Sequence, residues 1–388
     1  MDKEFKVFYG TEAATKEQLD AIEQIVVEQE VGRAWEARIK IPVCIAEDGS
    51  WDSENEPAYA EFERVRIEAK IGDGAFVPLI DGRIVEQQPD LNASPGLSAV
   101  TLIVHDDTTL LHRDVGSEPY TGTDSDIART ILSDAALGGN VEVEDVSAGA
   151  DGEAVTNRSG TRMQMLREIM TRNPGFHAYV QPGTEVGTSD VFFKKLPTEP
   201  DAALPTMYLS GPDQNITGFS IQRNSARAAT VEGSHLSMSD KSVTSVTSSH
   251  ADAVPTAGET STGGTPADTR VRRLDPGIGD HTDLNEAAIG AAEESGYTLS
   301  SDGSVIPACY SAVLSPYKMV SVRLSNSRYS GGYVIFKVTH TLGISEYTQS
   351  FSVRGNAVAP EADASASLPQ PSAGIAAAFS FNIQVDIF

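Results

Sequence analysis

Few side chains in this sequence have the types and spacing that chemistry needs. The histidines are His105, His112, His177, His235, His250, His281 and His340. Zinc sites draw on Cys and His at short fixed spacings, such as C-x-x-C or two His at i and i+4 on a helix. No two of these histidines have that spacing on a predicted helix, and no C-x-x-C occurs. There is no G-x-x-x-x-G-K-[ST] loop, no G-x-G-x-x-G at a strand–helix junction and no G-x-S-x-G elbow. His105 with Asp106 and Asp107 reads as the turn at a strand end. The acid pairs Asp106-Asp107 and Glu293-Glu294 read as solvated faces of an acidic chain. The sequence thus predicts no catalytic residue, no cofactor site and no metal site.

Composition narrows the partners. Of 388 residues, 29 are Lys or Arg and 55 are Asp or Glu, a formal charge of −26. Nucleic-acid affinity comes from Lys and Arg neutralising phosphates, so nucleic acid is not an expected partner. Anionic lipid is disfavoured for the same reason. Cys44 sits in IPVCIA and Cys309 in IPACY, and both are expected as buried free thiols. MDKEFKVFYG has no apolar core of a secretory signal, and no stretch approaches the 18 or so apolar residues of a membrane helix. A soluble protein made in a cytoplasm is expected.

The elements that must position any site centre on Phe76–Asp114. Phe76 to Val85 is an apolar strand in which Asp81-Gly82 predicts a turn or bulge. Pro89 to Gly96 is polar and predicts a loop. In the next strand Val100, Leu102 and Val104 share one face, and Ala99, Thr101 and Ile103 the other. Both faces are apolar enough to be covered, as in a small barrel. Upstream, Phe5–Tyr9, a strand from about Gln24, Trp35–Ile41 and Arg64–Ile71 complete about six strands. From Thr123 the period becomes helical. Thr123 with Asp126 forms a capping-box pattern ahead of Ile127, Ile131 and Leu132. A second helix starts near Thr161 and ends at Asn173-Pro174-Gly175, followed by strands Phe176–Val180 and Val191–Leu196. Ile216–Ile221 and Ala228–Glu232 return to strand. After Leu236 the chain becomes Ser-, Thr-, Gly- and Pro-rich, too poor in apolar residues for a core. Asp283–Glu294 is helical, and Ala312–Leu324, Gly332–His340 and Tyr347–Val353 are strands.

The fold class is therefore α+β and predominantly β: two small β-barrel domains with an α/β insert. The first barrel spans residues 1–117 and the insert 118–205. The second barrel is split into 206–239 and 296–360, around a loop and short helix at 240–295. Residues 361–388 form a linker and a C-terminal strand.

Two stretches carry a family resemblance. PLIDGRIVEQ…SPGLSAVTLIVHDDTTLLHRD supplies Gly82 to Val85, Pro95-Gly96, Val100 to Val104, Asp106-Asp107 and Leu110-Leu111. SGGYVIFKVTHTLGISEYTQSFSVRGN supplies Gly331, Tyr333, Ile335, Val338, His340, Tyr347, Phe351, Val353 and Asn356. Together they resemble the baseplate hub proteins of contractile phage tails. These are the late-control D family and the hub portion of VgrG-type spike proteins in related contractile injection systems. The resemblance implies a structural, non-enzymatic protein without cofactors, and makes His340 a structural strand-end residue. It implies a homotrimer forming a ring with pseudo-six-fold symmetry. That ring adapts a hexameric inner-tube protein to a trimeric spike protein, among other baseplate proteins. It implies synthesis in the bacterial cytoplasm and residence in the baseplate of a tail or injection particle. A β-rich adhesin or carbohydrate-binding module is the competing reading, and a hydrolase assembled from distant residues is the third.

The candidate partner-binding residues are terminal. Phe379, Phe381, Ile383, Val385 and Ile387 alternate with polar residues up to Phe388. A lone strand so patterned leaves its apolar row in water, so it is expected to join a sheet of the spike or of a neighbouring copy, with pairing inside its own second barrel as the alternative.

Overall fold

The computed structural model describes residues 3–358, apart from 46–48, 52–55, 93, 95, 114, 117–118, 136, 149–155, 158–159, 228, 238–240, 251–259, 262–269, 276, 326 and 344–345. The candidate terminal strand Phe379–Phe388 lies outside the described residues. No helix among them is long and apolar enough to cross a membrane.

The chain is mostly β, and its main sheet curls as a half-barrel. In the first half the strands are β1 (Lys3–Tyr9), β2 (Gln24–Glu30), β3 (Glu36–Pro42), β4 (Arg64–Ile71), β5 (Val77–Asp90) and β6 (Ala99–Asp106). They pair in the order β2-β3-β6-β5-β4-β1. The period-two pattern places Ala37, Ile39 and Ile41 of β3 and Val65, Ile67 and Ala69 of β4 in one core. Both faces of β6 are covered: Leu102 and Val104 have no exposure, and Ile103 on the opposite face has 4%.

Gly82 does not turn the chain, as its Asp81-Gly82 sequence predicts. It lies inside β5, which runs straight through it, and a Cβ there would sit 1.9 Å from the His105 carbonyl oxygen. The irregularity falls instead at a register shift between Ile84 and Glu86. Gly82→Ala must therefore push β5 and β6 apart, with an expected loss of about 1–3 kcal/mol in a denaturant titration.

The insert contains helices Asp124–Ser133 and Arg162–Arg172, capped by Thr123 with Asp126 and by Thr161 with Gln164. They cover a three-stranded sheet of β7 (Gly138–Val143), β9 (Ser189–Lys195) and β8 (Phe176–Pro182), in that order. Next come β10 (Ile216–Arg223), β11 (Ala229–Leu236), β12 (Val243–Ser249) and β13 (Arg270–Arg273). The helix Leu284–Gly296 follows, then β14 (Leu299–Val305), β15 (Met319–Arg323), β16 (Gly331–Gly343) and β17 (Tyr347–Gly355).

Three expectations change here. The two strand-rich units are not separate barrels, because β10-β14-β17-β16 continues into β2-β3 in one sheet. The cause is the length of β16. Its first residues pair with β15 (Val334 with Met319), and on the same side its later ones pair with β2 (Lys337 with Glu30). The change of partner falls at Phe336, where the register also shifts against β17. Secondly, β11, expected in the second barrel, pairs instead with β12 and β13 in its own sheet, backed by the helix Leu284–Gly296. Val243–Ser249, expected as loop, is a strand because β11 supplies its backbone partners. Thirdly, only Met319–Arg323 of the expected strand Ala312–Leu324 is extended in a sheet, and Tyr317 turns the chain with φ of 61°. Cys44 and Cys309, expected as buried, are exposed.

Candidate functional site

The histidines occupy separate elements. His340 lies inside β16 rather than at a strand end. It has no exposure, its Nδ1 is 2.9 Å from the Tyr347 hydroxyl and its Nε2 is 3.2 Å from Gln29 Oε1. Burial pushes it down to about 3, so the neutral ring is part of the core. His105 Nε2 is 3.2 Å from Glu36 Oε2 on the neighbouring strand. His177 packs edge-on against Tyr317 and is lowered by burial. Among the described residues no group of three or more His, Cys, Asp or Glu could hold a metal ion.

The acid pair at the end of β6 is not a solvated face. Asp106 is 2% exposed and Asp107 not at all. Asp106 accepts from the backbone N–H groups of Trp35 (2.8 Å) and Thr108 (3.1 Å), and burial raises it to about 7. Asp107 joins a buried ionic latch between the main sheet and the insert. Arg64 bridges Asp81 at 2.5 Å and Asp107 at 2.8 Å. Burial alone would lower Arg64; Asp107 and Asp81 outweigh it and hold it above its ordinary value. Arg66, beside it on β4, donates to Asp81 (3.1 Å) and to the Gly183 carbonyl (2.8 Å). From the insert, Gly187 N–H donates to Asp81 and Ser189 Oγ to Asp107. Every charge in the latch is met by a partner of opposite sign, which buried charges require. The latch ties the insert to the main sheet. A stack of Phe192, Tyr179 and Tyr317 makes the same junction apolar, and the Tyr317 hydroxyl accepts from Gly32 N–H.

One edge of the sheet is open beyond the latch. β5 has 14 residues, and its pairing with β4 stops at Arg83. From Glu86 to Asp90 its one strand partner is β6, which pairs on its other side with β3 over the same span, so the outer side of β5 is an open edge there. Leu91 and Leu97, in the loop that joins β5 to β6, are 53% and 61% exposed. A cavity of about 200 Å³ opens beside this edge, lined by Val43, Trp51, Tyr59, Pro89, Leu91 and Val100. Exposed Leu residues beside an open strand edge have the chemistry of a protein contact. The sequence pattern marked this segment only as a polar loop, because its two Leu residues are spaced among polar ones.

A second open feature is β10, ITGFSIQR, the terminal strand of the main sheet among the described residues, paired only with β14. It carries one charge, Arg223. A sheet edge with so little charge is a ready strand acceptor. Among the described residues, neither the Leu91–Leu97 loop nor the β10 edge assembles nucleophile, base or metal ligands.

No family model matches this sequence, and no curated protein matches it. Solved structures do. A tail protein from Neisseria meningitidis is 13% identical, with a TM-score of 0.60 over 92% of this chain and 97% of that one. A 43 kDa tail protein of a Shewanella oneidensis prophage is 12% identical, with a TM-score of 0.56 over 90% and 97%. An Escherichia coli type VI secretion component, described as structurally similar to T4 tail proteins gp27 and gp5, is 10% identical. Its TM-score is 0.51 over 92% of this chain and 77% of its own. Across nearly its whole length, this chain has the fold of phage tail proteins and of a type VI secretion component.

Proposed function

We propose that this chain is the structural baseplate hub of a contractile tail or injection system, adapting a hexameric inner tube to a trimeric spike. One observation carries the reading. Two strand-rich units lie side by side in a single curled sheet, in a chain that shares its fold with a tail protein over 92% of its length. A chain that presents two similar units turns three-fold symmetry into six near-equivalent positions. Three copies then match a six-fold tube on one face and a three-fold spike on the other. The work is geometric, so the protein needs rigid junctions rather than reactive groups, and the buried latch supplies one. We assign residues 1–117 and residues 206–227 with 296–358 to the two units, with residues 118–205 inserted between them and the β11–β13 sheet outside both.

In this reading the Leu91–Leu97 loop and the β10 edge contact neighbouring copies and the inner-tube protein. Phe379, Phe381, Ile383, Val385, Ile387 and Phe388 offer the spike or a neighbouring copy an added strand. The protein is made in the bacterial cytoplasm and resides in the baseplate of the particle, as in the late-control D family. The test is to tag the chain, purify intact particles and locate the tag by electron microscopy. Label at one end of the tube, next to the spike, is expected. Label along the tube or on fibres, or particles lacking the chain, would overturn the assignment.

A further inference from the structure

A cavity of about 710 Å³ lies where the insert, the helix Leu284–Gly296 and the outer face of β16 and β17 meet. Its charge is opposite to that of the chain. Five cationic side chains line it, Lys195, Arg227, Arg270, Arg272 and Arg354, against Glu144, Glu293 and Glu294. The carboxylates are committed to one side. Glu294 accepts from Gly175 N–H at 3.0 Å and pairs with Arg272 at 3.4 Å. Glu144 accepts from the Lys195 backbone N–H at 3.1 Å, and the Lys195 ammonium acts on Glu293. That leaves Arg227, Arg270 and Arg354, none of which forms an ion pair with a described carboxylate.

Arg354 is the held member of the three. Phe336, placed at the irregularity in β16, lies under its guanidinium at 4.0 Å, and Tyr297 packs edge-on against the same ring. Burial and then the like charge of Arg227 lower Arg354, while Glu30 opposes them; Glu30 itself pairs with Arg33 at 3.6 Å. Two guanidinium groups are thus kept near each other, one of them partly desolvated, at an electrostatic cost that an incoming anion removes.

We infer that this cleft binds an acidic peptide segment carrying neighbouring carboxylates, supplied by another protein of the assembly. Guanidinium forks match carboxylates in bidentate geometry. The three resident acids disfavour a row of phosphates, and the cavity is larger than a free dicarboxylate fills. Leu196, Pro197 and Phe336 give the methylene stems of Glu side chains an apolar wall. The inference rests on the reading of the chain as a particle component, and its test does not: binding is measured on the isolated chain, whereas the tag experiment locates the chain in particles.

The test is calorimetric titration of the full chain with a capped Glu-Glu-Asp-Glu peptide, with succinate and with inorganic phosphate. The peptide is expected to bind, to weaken as NaCl is raised, and to bind at least tenfold more weakly to Arg227→Gln/Arg354→Gln. Arg270→Gln, on an exposed side chain, is expected to weaken it in a chain with an unchanged melting temperature, which guards against a misfolded double variant. No binding to the unaltered chain, or equal binding to both variants, overturns the site. Phosphate or succinate binding more tightly than the peptide overturns the peptide assignment. Self-association that the double variant abolishes would give the role to a second copy and overturn the assignment to another protein.

Discussion

Asp81→Ala is expected to cost about 3–5 kcal/mol of folding stability, the usual penalty for leaving buried charge without its partner. Asp81 is fully buried and takes three donors: Arg64, Arg66 and the Gly187 N–H. Arg66 has a side-chain exposure of 2%, so it cannot swing out to water when Asp81 is removed. Arg64 keeps Asp107, and Arg66 keeps Glu68 at 2.8 Å and the insert carbonyls. The loss therefore falls first on the junction between sheet and insert. Hydrogen exchange should rise across residues 183–189 before it rises in β3 or β6. A denaturant midpoint within error of the unaltered chain would show that the latch does not hold the insert.

The second large effect is in the pH dependence of stability. His340 has an ordinary value of 6.5 and is lowered by burial to about 3. Between those values the unfolded chain takes up a proton that the folded chain refuses, so stability falls as pH falls from about 6.5. Asp106 has an ordinary value of 3.8 and is raised by burial to about 7. Between those values the folded chain holds a proton that the unfolded chain has lost, so stability falls as pH rises from about 4. Each difference corresponds to on the order of 4 kcal/mol, with opposite sign, over nearly the same window. The unaltered protein should therefore show a shallow dependence from pH 4 to 6.5. His340→Gln should leave the Asp106 contribution alone, so its stability rises as the solution is acidified. Asp106→Asn should show the reverse. Asn cannot accept from both Trp35 and Thr108, so slopes are compared rather than absolute stabilities. Parallel curves for all three proteins would refute the assignment of both groups.

Local pattern made much of the fold legible. Val65, Ile67, Ala69 and Ile71 alternate against charges, and Arg64–Ile71 is a strand over that same span. Thr123 and Thr161 announce their helices because capping is settled within four residues. What failed depends on partners distant in sequence. Asp106 and Asp107 look like a solvated pair until Arg64 and Ser189, 43 and 82 residues from Asp107, close over it. Val243–Ser249 is too poor in apolar residues to read as a strand until Ala229–Leu236 lies beside it. The joining of two strand units depends on β16 against β2, where Lys337 meets Glu28 across 309 residues. The Arg227–Arg354 cleft had no sequence signal, because its residues come from six separate helices and strands and the loops between them.

The central claim concerns symmetry, and a reconstruction of the assembled particle, computed without imposed symmetry, tests it most directly. It should show three copies of this chain in one ring, each giving two strand units to six near-equivalent positions against the tube. A ring of six copies, a two-fold dimer, or a ring whose two units per chain face unrelated surroundings would contradict it.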